Sequence, residues 1–324
     1  MSANCRWLAA IVCGVAATLA CSAVPSRGAL LPPDFISAVV ALGSDQSVAE
    51  PGLPPSVRWV TEGTGFFYGY LVQNDSDIAK RQYAVFLVTA GHVLKEHMAT
   101  GQQTIRVRLD AIEASSGAQE FEIPMAAWFF HPDSKIDLAA TPIPITFLRD
   151  HGLQSSFFAS DEMTVAKDKF KEVGVSAGDG VFILGFPMNL AGEQRNYVIV
   201  RQGAIARVDE LLENKSSSFL VDAFVFPGNS GGPVILRPEL VSIQGTKANT
   251  KAAIVGVVTA YQPYTEVAVS VQTKRPRVAF EENSGLAIVL PMNYVNEMVR
   301  QKAEDTWNLQ QSAPTPNAPA VEKH

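Results

Sequence analysis

The sequence predicts an all-β fold, a sandwich or barrel arrangement closed by one C-terminal helix, and three observations carry that reading. Short apolar runs recur at regular spacing and are punctuated by turn residues, which is the pattern of short strands. These runs fall into two sets, separated by a mixed connector at about residues 151–176, which favours two barrels with a cleft between them. The last patterned stretch, residues 291–302, changes period: Val295, Met298 and Val299 stand at i, i+3 and i+4 on one helical face. Pro291 sits well at its start, because its missing N–H costs nothing in a first turn.

The first set of strands is expected at residues 64–72, 83–90, 104–110, 121–130 and 138–145. The second is expected at 180–186, 197–208, 219–226, 234–236, 252–260 and 286–290. Residues 29–56 carry Pro32, Pro33, Pro51, Pro54 and Pro55 with little charge. They read as an extended lead-in with a short helix at about 34–42. Residues 303–324 are polar and proline-rich, and are expected to be disordered.

Residues 1–28 read as a secretory signal peptide: Arg6 precedes an apolar stretch from Trp7 to about Ala20, followed by small residues. The stretch is short for a retained anchor and lacks a stop signal. Thr18-Leu19-Ala20-Cys21 faintly resembles a lipoprotein signal with the leucine one place late, so ordinary cleavage is preferred over lipidation at Cys21. All three cysteines, Cys5, Cys13 and Cys21, lie in this leader. A cleaved, exported chain would then have no disulfide and would depend on its core alone, which suits a bacterial periplasmic or secreted protein.

The formal net charge is −6, and nothing has the basic face that nucleic-acid binding calls for. The one basic cluster, Lys274-Arg275-Pro276-Arg277, is expected in a solvated loop. No His, Cys, Asp or Glu group has metal-ligand spacing, so neither metal nor cofactor is expected.

Residues 227–233 carry the chemistry. Ser230 is wrapped in glycines between the apolar runs at 219–226 and 234–236. Glycines let the backbone bend sharply and approach a bound group closely. That geometry can expose a hydroxyl and aim consecutive N–H groups at one point, as an oxyanion hole requires. Alone, the segment could equally be a glycine-rich turn. Two other places change the balance. The apolar run 85–90 leads directly into Gly91-His92-Val93, and Asp137 opens the apolar run at 136–140. A buried acid is costly without a partner, so Asp137 calls for one. The order His92, Asp137, Ser230 is that of one known arrangement of a nucleophilic triad.

Gly228-Asn229-Ser230-Gly231-Gly232 also fits G-x-S-x-G, the nucleophile elbow of α/β-hydrolases. Those enzymes place the base histidine after the serine, and here only His324, at the end of the tail, follows. That reading fails. His97, on a short helix at 93–99, is expected to be exposed. His131 in a loop and His151 in the connector lack the strand-end setting of a catalytic group.

The chain resembles trypsin-like serine proteases, nearest in character to the disulfide-free HtrA branch. The matching stretches are Thr89-Ala90-Gly91-His92-Val93, Ile136-Asp137-Leu138-Ala139 and Gly228-Asn229-Ser230-Gly231-Gly232-Pro233. Weaker echoes are Gly185-Phe186-Pro187, Gln202-Gly203-Ala204-Ile205, and Gly285-Leu286-Ala287-Ile288 followed by Pro291. Together they cover about residues 60–300.

The resemblance implies a protease domain over 57–302 made of two six-stranded antiparallel barrels, chymotrypsin-like, at about 57–150 and 175–290, with the C-terminal helix at 291–302. It implies a serine endopeptidase acting on proteins or peptides. Ser230 would be the nucleophile, His92 the base and later the acid, and Asp137 the group that orients His92. The N–H groups of Gly228 and Ser230 would form the oxyanion hole. The tail is too short for the PDZ domain of typical HtrA proteins, so control through such a domain is not carried over.

Asn229 stands where digestive relatives have aspartate, and no Arg-Ile-Val-Gly-Gly-like site appears, so no activating cut is expected. By the same resemblance the primary pocket has its floor near Phe224 and a wall from Thr259, Ala260 and Tyr261. No acid stands there, which implies a small or medium apolar residue rather than Arg or Lys. The competing class is a binding or chaperone-like protein on the same fold with an idle triad. An insertion at 262–283 covering the cleft would favour it.

Overall fold

The apolar runs pair into two antiparallel systems, as their spacing requires. The computed structural model describes residues 31–48, 54–239 and 248–312. The first half runs α1 (Pro33–Ser37), β1 (Val39–Val48), β2 (Ser56–Gln73), β3 (Gln82–Ala90), α2 (Gly91–Ala99), β4 (Thr104–Asp110), β5 (Ala118–Pro124), β6 (Phe129–Phe130), β7 (Leu138–Pro142), α3 (Ile145–Asp150) and β8 (Phe158–Ala159). After α4 (Phe170–Val173), the second half runs β9 (Gly180–Gly185), β10 (Ile199–Arg207), α5 (Asp209–Leu212), β11 (Phe219–Asp222), β12 (Pro233–Leu236), β13 (Ala253–Val269) and β14 (Pro276–Pro291). It ends in α6 (Met292–Ser312).

The second half is a closed six-stranded barrel in the order β10-β11-β14-β13-β12-β9. The first half is an eight-stranded sheet, β5-β4-β1-β2-β3-β7-β6, with β8 added in parallel to β2. Its outermost strands β5 and β6 are consecutive in the chain. The single strand expected at 121–130 breaks at Pro124 and the one-turn helix Met125–Ala127, so the chain itself spans the gap where the ladder stops. This is the chymotrypsin-like architecture with its C-terminal helix.

Three differences from the expected elements have clear causes. Residues 39–48, expected in the lead-in, form β1, because Val39 to Leu42 are fully apolar-packed between β2 and β4. The expected helix at 34–42 is confined to α1. The helix expected to stop at 302 continues to Ser312, since Ala303 extends the buried stripe of Met292, Val295 and Val299 by one more turn. The leader 1–28 and residues 313–324 lie outside the described residues.

Apolar clusters occupy both halves and the seam. At the seam, Phe66, Tyr68, Phe86 and Val88 of the first half meet Phe182, Leu184, Phe186 and Ile235 of the second, with α6 packed over them. Phe158, fully buried in the connector, stands edge-on to Phe35 (4.9 Å) and Phe66 (5.7 Å), tying α1 into this cluster. Phe158→Ala should therefore cost about 3–5 kcal/mol. The check is a lowered urea midpoint with an unchanged slope.

Candidate active site

His92, Asp137 and Ser230 are delivered by backbone pairing. Strands β3 and β7 pair with Ala90 opposite Leu138, which sets the residues just beyond them side by side. The Gly91 N–H donates to the Asp137 carbonyl at 3.0 Å. Ser230 sits in the turn between β11 and β12, and its carbonyl accepts from the Thr64 N–H of β2 at 2.8 Å. One hydrogen bond thus crosses the seam at the serine itself.

The side chains meet in sequence. His92 Nδ1 lies 2.6 Å from Asp137 Oδ2, and His92 Nε2 lies 2.9 Å from Ser230 Oγ. The carboxylate can only accept, so Nδ1 carries the proton and neutral His92 presents a lone pair at Nε2 to the serine hydroxyl. The hydrogen bond to Asp137 is the main cause that raises the His92 pKa above its ordinary value, against the opposing effect of burial. For Asp137, burial pulls the carboxyl upward. The hydrogen bond and charge of His92, with Lys95 at 3.6 Å, outweigh it and hold the group below the usual carboxylate range. Both side chains remain about one-third exposed (32%), so the pair is open to the cleft.

The turn around Ser230 has a definite hydrogen-bond pattern. Asn229 N–H goes to Phe226 O (2.9 Å), Gly231 N–H to Val258 O (2.7 Å) and Gly232 N–H to Asn229 O (2.9 Å). Among the described residues, no acceptor takes the N–H of Gly228 or of Ser230. Gly228 has φ +97°, a left-handed backbone that favours glycine. A Cβ on Gly231 (φ +84°) would stand 2.1 Å from Thr64 O, so glycine is required there too. Asn229 is buried, and its Oδ1 accepts the Phe226 N–H at 3.0 Å, bracing the turn from within.

A cavity of about 540 Å³ opens beside the serine, lined by residues that include Val225, Phe226, Val258, Thr259, Ala260 and Tyr261. Three of the four residues expected at the primary pocket are therefore in its wall. Phe224 is not. Burial alternates along this segment, turning Ala223 and Val225 inward and leaving Phe224 54% exposed, stacked on Phe226. Its neighbours Val225 and Phe226 line the cavity instead. Arg201 lies over the Phe226 ring, 5.0 Å from its centroid.

The other histidines fall away from the serine. His97 is buried rather than exposed: Nδ1 meets Glu62 Oε2 at 2.6 Å and Nε2 meets Thr104 O at 2.8 Å. His131 is buried beside Tyr294 of α6, and His151 is exposed at the end of α3. The segment 262–283 does not close the cleft. It forms the outer part of the β13–β14 ladder, with residues exposed on both faces, and only Pro263 and Glu281 from it line the cavity. Sequence reading missed Thr64 and Met188, whose N–H groups bond Ser230 O and Pro227 O, each at 2.8 Å. The small run Gly63-Thr64-Gly65 is a faint signal for the first, and nothing in the sequence marks the second.

This fold and this arrangement define a class. The chain belongs to the trypsin-like peptidase domain family, whose profile matches residues 63–240, a stretch that contains His92, Asp137 and Ser230. Its general function is that of a serine-protease-type hydrolase with proteins as substrates. No curated protein matches the chain.

Because Asp137 stabilises protonated His92, the imidazolium should persist to higher pH than the ordinary histidine value of about 6.5. Asp137→Asn removes that stabilisation and should move the transition downward. Titration of the His92 ring protons by NMR measures both, and coincident curves would show that the pair is not coupled.

Proposed function

We propose that this protein is an active serine endopeptidase. The supporting observation is the combination at Ser230: a hydroxyl 2.9 Å from a neutral imidazole that is itself bonded to a carboxylate, beside two N–H groups with no acceptor among the described residues. Ser230 Oγ attacks the scissile carbonyl while its proton passes to His92 Nε2. The carbonyl oxygen becomes an oxyanion held by the N–H groups of Gly228 and Ser230. His92 then gives the proton to the departing amine, leaving an acyl-enzyme on Ser230 that water hydrolyses by the same route. Asp137 keeps the Nδ1 proton in place and balances the charge of the imidazolium.

The accessible cleft and free N–H groups count against an idle-triad binding protein. Asn229 braces its own turn through Phe226, which supports activity without a cut to create a new N-terminus. The segment Arg6 to Ala23 supports export to the periplasm or beyond, with substrates met there.

Fluorophosphonate should label the wild-type protein at Ser230, and neither Ser230→Ala nor His92→Ala should label. Loss of either side chain should lower turnover by about six orders of magnitude if the three groups act as a unit. A folded wild-type protein that stays unlabelled would overturn the proposal.

For the primary pocket we propose a small or medium apolar residue. Val225, Phe226, Val258 and Ala260 supply an apolar wall beside Ser230, in a cavity that Glu62, Glu96, Asp137 and Glu281 also line. Cleavage of a peptide library after Arg or Lys would refute this.

A further inference from the structure

Each of the two unbonded N–H groups at the site belongs to a peptide plane whose carbonyl is held from the opposite side. A trans peptide points its C=O and N–H in opposite directions, so fixing one aims the other. For the Ser230 N–H, the carbonyl is Asn229 O, held at 2.9 Å by Gly232 N–H within the same turn. For the Gly228 N–H, the carbonyl is Pro227 O. Its donor comes from a different segment of the chain: the Met188 N–H, at 2.8 Å.

Met188 reaches that position through an unusual backbone. It has φ 54° and ψ 33°, and Asn189 follows with φ 59°, two successive non-glycine residues in the left-handed region. Such a conformation persists only where the surroundings over-determine it, and asparagine tolerates it better than most. Here the surroundings act through the Asn189 side chain. Its Oδ1 accepts the Thr61 N–H at 2.7 Å and its Nδ2 donates to Trp59 O at 3.3 Å. Both partners lie on β2, in the other half of the molecule.

We infer that Asn189 is a positioning residue for the oxyanion hole. It clamps the 187–189 turn to β2, the turn presents the Met188 N–H to Pro227 O, and that bond directs the Gly228 N–H into the cleft. This rests on the serine-endopeptidase reading for its kinetic consequence, but not for its structural one.

The test compares Asn189→Ala and Asn189→Asp in the full chain. Alanine removes both clamp bonds; aspartate keeps the acceptor for Thr61 N–H and tolerates the left-handed backbone. In Asn189→Ala, kcat for a peptide substrate should fall about 10- to 100-fold, short of the 10²–10³ for outright loss of a donor, with KM little changed. Affinity for a peptide aldehyde, whose adduct places an oxyanion in the hole, should fall by the same factor as kcat/KM. Asn189→Asp should restore most of both. Independently of activity, hydrogen exchange across 226–232 should quicken in Asn189→Ala, stay near wild type in Asn189→Asp, and remain unchanged in α6 in both.

Wild-type kcat and aldehyde affinity in Asn189→Ala would overturn the inference. So would unchanged exchange at 226–232, or a general loosening that includes α6, which would mark a merely structural role. A wild-type protein that cleaves nothing would sink the endopeptidase reading, while the exchange measurement would still decide whether Asn189 orders the turn.

Discussion

The hydroxyl of Thr64 fastens the two halves together at the serine turn. Fully buried on β2, it donates to Gly228 O at 2.6 Å and accepts the Phe186 N–H at 3.1 Å. Its backbone N–H reaches Ser230 O, and its carbonyl accepts from Thr89 Oγ1 at 2.7 Å. A buried polar group left without partners costs more than a made bond contributes, so such a node holds its geometry or not at all. His92 and Asp137 come from one half and Ser230 from the other. The spacing of Ser230 from His92 is therefore a property of this seam rather than of either sheet alone.

The charges at the site are arranged around the same seam. Asp137 would be drawn toward its neutral form by burial, yet it stays ionised because its partner can take up a matching charge. His97 and Glu62 form a second pair, 2.6 Å apart, that the chemistry does not use. Both ring nitrogens of His97 face acceptors, and Glu62 also accepts from Ser44 Oγ at 2.6 Å. That pair fixes the last turn of α2 against β4 and joins it to β1 and β2. His92, at the other end of this short helix, is held by a bracket of polar contacts and by the buried side chains of Val93 and Leu94.

The sequence made visible what depends on residue type at a point, and hid what depends on position in space. Ser230 among glycines, His92 after a buried strand and Asp137 before another were legible because strand ends place such residues at a rim. The strands were legible through their apolar runs, although β13 and β14 run past their apolar portions into a ladder with exposed Tyr264, Val267, Val278 and Phe280. β1 resembles a lead-in in the sequence because prolines on either side of it mask a short apolar core segment. The expectation at Phe224 fails because burial alternates from Ala223 to Val225, and a shift of one position reverses the face a residue presents. Asn189 could not be found, since its partners Thr61 and Trp59 lie about 130 positions away.

Among the described residues no disulfide ties the two halves across the seam. Every cysteine precedes residue 22, so the described fold holds no disulfide. α6 supplies what a cross-link would. It continues directly from β14, and so belongs by chain connection to the second half, yet it packs against β2, β3 and β7 of the first. Tyr68 of β2 donates its hydroxyl to Asn296 Oδ1, and Met292, Val295, Val299 and Ala303 press fully buried side chains into the seam cluster. A strap of this kind restrains the halves only as firmly as its apolar stripe is long, because each added turn buries another side chain in the joint. The extra turn at Ala303 is thus part of the support for the serine, the histidine and the aspartate, although it touches none of them.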